Sequence, residues 1–267
     1  RGYRLIKRPD KLLPTEVRTG LTTKRLGQVV HYFSQTGSTN DVARELAQMG
    51  AEEGTLVLAE EQVSGRGRRG RPWLSPVGDG IFASIILRPQ LLPAQATLLT
   101  LTAAVAAAEA IRKLTNLPVG IKWPNDLLLN ECKVAGILTE MSAEIDTIFH
   151  VIVGIGINVN NDSFPPELCH IATSLAKEKG QAVSRRDLLQ FFLQRFEQWY
   201  DLLPAGREEI LTRWRELSVT LGRQVTIYSP QATLRGQALD IDQEGALLLL
   251  TDDGHEERIL SGDVSLR

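Results

Sequence analysis

The chain has 267 residues, 43% of them hydrophobic, with 30 basic against 32 acidic side chains and a formal net charge of −2. That length allows one large domain or two smaller ones with a sizeable core, and the balance of charge excludes bulk electrostatic attraction to nucleic acid or anionic lipid. Cys132 and Cys169, neither in a CxxC pair, are too few for a disulfide framework or a cysteine-only metal site, so a reducing cytoplasm is expected, with no signal peptide and no apolar run long enough to span a bilayer.

In chain order, Arg1 to Leu21 scatters basic residues around Pro9 and Pro14 with little apolar pattern. It reads as an extended linker, and the start at Arg1 without Met reads as a processed or cut end. Val29–Phe33 is a short strand. Gln35 to Asn40 then leads into a helix from Asp41 to Met49, where Val42, Leu46 and Met49 recur at helical spacing and Gly50 supplies a stop. Ser38 and Thr39 stand where N-cap residues belong, and local pattern favours a plain cap. The sharper alternative is a polar cup of hydroxyls, Asn40 and free helix N–H groups that holds a neutral or anionic head group.

Thr55–Ala59 is an apolar strand, and Glu60-Glu61-Gln62 opens the most unusual stretch of the chain. Gly65 to Arg71 holds four arginines and three glycines, followed by Pro72 and Trp73. Glycine frees the backbone for close approach. Guanidinium forks bind carboxylate or phosphate in paired hydrogen bonds. The expectation is a mobile segment that folds over a bound anion; a solvated basic loop is the bland alternative. Ile81–Leu87 is a further strand. Ala94–Leu114 reads as a long helix with Leu98, Leu101, Val105, Ala108 and Ile111 on one face.

Lys122-Trp123-Pro124-Asn125-Asp126 and Lys133 to Leu138 flank a turn at Asn130-Glu131, a hairpin with a lysine near each outer end and an aspartate between. Outside a constellation these are a solvated hairpin edge and a turn residue. Thr147–Ile157 is a hydrophobic strand ending in Gly154-Ile155-Gly156-Ile157-Asn158, a pattern suited to close approach by a ligand or another backbone. No helix pattern follows, so it is not a dinucleotide fingerprint. Ser184 starts an amphipathic helix with Asp187 placed as in a capping box; Pro204 ends it, and Arg207–Leu217 makes one more. From Gly222 four short alternating segments (224–229, 233–238, 246–251 and 256–260) with turns at Gln243-Glu244-Gly245 and Asp252-Asp253-Gly254 predict a small β-barrel.

Five motifs in this order resemble the biotin protein ligase family over about residues 26 to 267: Ser38-Thr39-Asn40, the Gly65–Arg71 loop with Trp73, Lys122–Asp126, Lys133–Leu138 and Gly154–Asn160. Arg1 to Leu5 looks like the end of the winged helix-turn-helix of the bacterial ligase/repressor subgroup, so residues 1–25 are expected to be linker and remnant. The resemblance implies an α/β (α+β), class II synthetase-like catalytic domain over 26–219, a mixed sheet with packed helices, and an SH3-like barrel over 220–267. It implies that biotin and MgATP give biotinyl-5′-AMP, and that a lysine of a biotin carboxyl carrier domain, such as that of acetyl-CoA carboxylase, then takes the acyl group. A homodimer is compatible with it; DNA is a partner only through a missing N-terminal domain, and no membrane partner is expected.

On this resemblance Lys133 bridges the biotin carboxylate and the α-phosphate, Lys122 partners the departing phosphates, and Asp126 holds Mg²⁺ or fixes a lysine. Ser38, Thr39, Asn40 and Gln62 serve the ureido ring. Gly136, Gly154, Gly156 and Asn158 offer a wall, and Arg66, Gly67, Arg68 and Trp73 close over the adenylate. The competing readings are a lipoate-type protein ligase, which the Arg/Gly loop disfavours, and an adenylate-sensing repressor fragment with little catalysis.

Overall fold

The computed structural model describes residues 10–229 and 232–266; Arg1 to Leu5, with its helix-turn-helix reading, lies outside them. Seven strands, β1 (Val30–Phe33), β2 (Leu56–Ala59), β3 (Gly80–Leu87), β4 (Gly120–Lys122), β5 (Asp126–Leu129), β6 (Cys132–Ala143) and β7 (Ile148–Asn158), form one sheet in the order β1-β2-β3-β7-β6-β5-β4. Only β1 and β2 pair in parallel, so the sheet is mixed as expected. Every residue of β2 and β3 is buried, because helices cover both faces.

On one face α2 (Thr39–Gln48) packs Ala43 and Ala47 against Val57, Ile86 and Ile152. On the other lie α3 (Thr97–Thr115), α5 (Arg185–Leu202) and α6 (Arg207–Leu217), joined in the main apolar cluster. Six fully buried alanines of α3, Ala103, Ala104, Ala106, Ala107, Ala108 and Ala110, let its neighbours come close. The stretch Pro93–Thr115 corrects one expectation: it is long and apolar enough to cross a membrane by composition, but 72% of its apolar window is buried inside the protein. It is the core helix of this fold.

The expected linker is also corrected. Residues 10–26 dock on the core: Leu12, Val17 and Leu26 are buried, and Pro14 starts a short helix, α1 (Pro14–Arg18). Glu197 of α5 accepts hydrogen bonds from the successive amides of Lys24, Arg25 and Leu26 at 2.7–2.9 Å. One carboxylate thus satisfies three backbone donors that an extended linker would leave to water. Apolar periodicity is absent because hydrogen bonds hold much of the segment. A second short helix missed by pattern, α4 (Leu175–Lys179), is capped by Ser174.

The C-terminal segments form a five-stranded antiparallel sheet, β11-β10-β9-β8-β12, from β8 (Gln224–Tyr228), β9 (Thr233–Ile241), β10 (Leu247–Thr251), β11 (Glu256–Ile259) and β12 (Asp263–Leu266). The strand that pattern missed is β12, only four residues long. This sheet shares the apolar cluster of the large one through Val225, Leu247, Leu249 and Val264. Trp123 pins the two together. Its ring is fully buried, its Nε1 donates to Gly245 O at 3.0 Å, and its amide donates to Thr220 Oγ1 at 2.9 Å. Trp123→Ala should therefore cost about 3–5 kcal/mol, as expected for truncating a buried aromatic. Urea unfolding would measure it, and a loss below ~1 kcal/mol would show that Trp123 is no anchor.

Candidate active site

One row of the sheet register organises the site. Lys122 opposes Asp126, Asp126 opposes Gly136, Gly136 opposes Gly156, and Gly156 opposes Phe82. Charge stands at one end of the row, a gap in side chains follows at Gly136 and Gly156, and Phe82 closes it. Residues of this row line the cavity of about 670 Å³ that also takes in the 38–40 corner, the arginine loop and β12.

At the charged end Asp126 sits between two ammonium groups, Lys133 Nζ at 2.6 Å and Lys122 Nζ at 3.4 Å. The Lys133 contact is an ion pair without hydrogen-bond geometry, so the buried Asp126 Oδ1 keeps unspent accepting capacity. Lys122 also donates to Val264 O of β12 at 3.3 Å. Of the two roles expected for Asp126, the geometry fits fixing lysines. Among the described residues no group of three His, Cys, Asp or Glu side chains gathers to hold a metal, and two cations already occupy this carboxylate. A Mg²⁺ ion there would draw most of its oxygen ligands from phosphates rather than from the protein, and Asp126 would join them only by loosening its hold on a lysine.

Further along the row the Trp73 indole fills the slot left by the paired glycines. A Cβ on Gly156 would stand 2.5 Å from the ring, and one on Gly136 would stand 3.2 Å from it. Lys133 Nζ lies 5.1 Å from the ring centroid, a cation–π distance. Gly154 has a different use from the expected wall: its missing Cβ makes room for the Asn40 carboxamide, whose Oδ1 would be only 2.1 Å away. Asn158 lines the cavity, with its Nδ2 donating to Thr173 O at 3.1 Å.

The polar cup forms at the start of α2, and it is more than a cap, since the Ser38 side chain makes no capping bond. Gln62 Oε1 accepts from the Thr39 amide at 2.8 Å and from Thr39 Oγ1 at 3.0 Å. Asn40 Nδ2 donates to Glu140 Oε2 at 2.6 Å, which turns Asn40 Oδ1 toward Ser84. Ser84 Oγ lies 2.6 Å from Asn40 Oδ1 and 2.8 Å from Thr39 Oγ1. One hydroxyl proton serves only one of those oxygens. Ser84 can donate to Asn40 Oδ1 while Thr39 Oγ1 donates to Ser84 Oγ or Gln62 Oε1, so the cup closes on itself and its oxygens keep a further lone pair for a ligand N–H.

The arginine loop is folded rather than loose. Gly67 N bonds Arg71 O at 2.7 Å and Trp73 N bonds Gly65 O at 2.8 Å, closing a hairpin whose tip places Arg69 (φ 56°) and Gly70 (φ 71°) in the left-handed region. The anions that order it are the protein's own. Arg66, expected over a ligand carboxylate, is instead bidentate on Asp41 at 2.5 and 2.8 Å, with Glu140 at 3.1 Å. Arg69 and Arg71 grip Asp263 of β12 at 2.9 and 2.6 Å. Arg68 alone points inward, to Asn125 Oδ1 at 3.3 Å and Gly262 O at 3.1 Å, and burial lowers its pKa.

The residues the pattern reading missed are Ser84, Asp41, Glu140 and Asp263, together with Phe164, Leu168 and Ile171 on an apolar wall. That wall is placed by backbone: Lys133 N bonds Ile171 O and Thr173 N bonds Lys133 O. A lone serine inside the apolar run Ile81–Leu87 was a usable signal; the others carried none.

The Arg66 hydrogen bond holds the Asp41 carboxyl below its ordinary value, opposed by partial burial. A depressed carboxylate stabilises the fold above its unfolded pKa, and that contribution vanishes as pH falls through the folded one. The melting difference between the parent chain and Asp41→Asn should stay constant above about pH 4 and shrink below it; a gap that widens on acidification would contradict the pairing. Asp263→Asn should speed tryptic cleavage within residues 66–71, and an unchanged rate would remove the latch to β12.

Comparison with known proteins finds the biotin/lipoate A/B protein ligase family over residues 32–158 and the biotin protein ligase C terminal domain over residues 220–267. The chain is 45% identical, over 100% of its length and 82% of the relative's, to the bifunctional ligase/repressor BirA of Bacillus spizizenii. It is 35% identical to the biotin–[acetyl-CoA-carboxylase] ligase of Mycobacterium tuberculosis, over 96% of this chain and 97% of that one. The biotin protein ligase from Aquifex aeolicus in complex with biotin and ATP superposes with a TM-score of 0.78 at 31% identity, covering 90% of this chain and 99% of that chain.

Proposed function

The chain belongs to the biotin/lipoate A/B protein ligase family, on its biotin protein ligase side, and from that premise we propose that it activates biotin with ATP and passes it to a protein lysine. The observation that carries the choice of biotin is the acceptor-rich cup. A ureido ring brings two N–H donors and one carbonyl. The N–H groups take the remaining lone pairs on the oxygens of Thr39 and Asn40, and the uncommitted Ser38 hydroxyl donates to the carbonyl. The dithiolane ring of lipoate has no donor, so it gains nothing from those oxygens and is bound less well than a ureido ring.

In the first step a biotin carboxylate oxygen attacks the α-phosphorus, the bond to the β-phosphate oxygen breaks, and pyrophosphate leaves. Two anions must meet, so positive charge held in advance lowers the barrier. Lys133, held between Asp126 and the Trp73 face, is proposed to span carboxylate and α-phosphate, and Lys122 the departing phosphates. Asp126 keeps both ammonium groups in place; it is a positioning residue. Phe164, Leu168 and Ile171 offer the flat apolar surface an adenine ring needs.

In the second step a carrier lysine amine attacks the acyl carbon, the carbon–oxygen bond to phosphate breaks, AMP leaves, and the new amide sheds a proton. The Arg66–Arg71 hairpin shields the mixed anhydride from water until then. The carrier class, a biotin carboxyl carrier domain of acetyl-CoA carboxylase, is proposed from the name of the Mycobacterium tuberculosis relative. Repression is proposed only by extension of the Bacillus relative's name.

Biotin, ATP and a carrier domain incubated with the chain should add one biotinyl group to the carrier by intact mass, and no added mass would end the ligase reading. Lys133→Ala should slow pyrophosphate release by ~10² or more, the scale of losing a group that stabilises developing charge. An unaltered rate would remove Lys133 from the chemistry. Biotin should raise the melting temperature more than lipoate does; equal shifts would refute the argument from the cup.

A further inference from the structure

Among the described residues, the lid and the cup meet at a single carboxylate. Glu140 lies on the stretch of β6 beyond its pairing with β5, outside every motif that pointed to the site. Its Oε2 accepts from Asn40 Nδ2 at 2.6 Å, and both its oxygens face Arg66 Nη2, at 3.1 and 3.2 Å. Asn40 in turn presents Oδ1 to Ser84, inside the cup. Arg66 sits in the hairpin, two residues before the inward-facing Arg68.

Accepting from both sides gives Glu140 two consequences. A carboxylate has no donor, so together with Leu138 O, 3.3 Å from Asn40 Nδ2, it holds Asn40 with its NH₂ outward and its oxygen inward. This is the orientation that presents Asn40 Oδ1 to the cup. The same carboxylate draws the hairpin down through Arg66, alongside Asp41. Without a negative charge at this position, Asn40 Nδ2 keeps only the longer contact to Leu138 O at 3.3 Å, and the hairpin keeps only the Asp41 side of its clamp.

We propose that Glu140 is a positioning residue that couples recognition of the ligand's N–H groups to closure of the arginine hairpin, so that the lid holds an adenylate best when its acyl part is correctly seated. The proposal rests on the biotin ligase reading and deepens it. It names how the chain would retain biotinyl-AMP while releasing adenylates of acids that lack a ureido donor.

The test uses the full chain and three variants, Glu140→Gln, Glu140→Asp and Arg66→Gln. Two quantities are measured: the KM for biotin against kcat in pyrophosphate release, and the rate at which preformed biotinyl-AMP escapes into a chase of unlabelled biotin and ATP. Glu140→Gln should raise both the biotin KM and the escape rate by about tenfold, a usual size for coupling between two sites, and leave kcat nearly unchanged. Combining it with Arg66→Gln should speed escape no further than the more severe single change, because the two act on one link.

Glu140→Asp separates the two arms. The long arginine follows a carboxylate that has receded by one methylene, whereas the short Asn40 cannot. Escape should return toward the parent rate while the biotin KM stays raised, a split that a merely structural role would not produce. Parent-like escape from Glu140→Gln, or effects that multiply in the double variant, would overturn the coupling. A parent chain that forms no biotinyl-AMP would overturn the ligase reading and this inference together; a parent that turns over beside an unchanged Glu140→Gln would overturn the inference alone.

Discussion

Two ammonium groups held close together repel each other, and Asp126 is what reconciles Lys122 with Lys133. Its carboxylate lies within 3.4 Å of both ammonium groups. Because Asp126 pairs with Lys122 on one side and Gly136 on the other, that position is set by main-chain register rather than by flexible side chains. Sheet register is strongly specified where a face is buried, so the charges inherit the rigidity of the core. The remaining parts of the site arrange themselves along the same row.

The glycines further along the row show the same economy. Removing side chains at Gly136 and Gly156 weakens a strand locally, and the space is taken by the Trp73 indole. The indole returns apolar contact to the sheet and gives Lys133 an aromatic face. Gly154 makes the equivalent room for Asn40. The three glycines are therefore receptors for side chains of the protein itself.

The arginine hairpin solves a related problem. Concentrated positive charge is costly to order alone, and here three carboxylates from three elements supply the counter-charge: Asp41 of α2, Glu140 of β6 and Asp263 of β12. These pairs are partly exposed, and such pairs contribute little each. Weak contacts of this kind suit a lid, because a phosphate or carboxylate can compete with any one of them. The spread over three elements also ties the C-terminal sheet to the cavity it helps to line.

Much of this was legible in the amino-acid order. Strands β1, β2, β3 and β7 and the core helices α3, α5 and α6 follow from apolar period, turn residues and spacing, because those signals are local; Ser38–Asn40, Arg66–Arg71, Lys122–Asp126 and Lys133 stand out as a site only through the family resemblance of their motifs in order. What only the tertiary structure decided is partnership. That Arg66 answers Asp41 and Glu140, that Gly154 receives Asn40, that Asp263 reaches across 192 residues of chain to Arg71, and that residues 24–26 dock on Glu197 are all contacts between distant segments. Composition and periodicity report what one element would bury. They do not report which carboxylate a given guanidinium will find, since that depends on how separately formed elements are brought together by packing of the shared core.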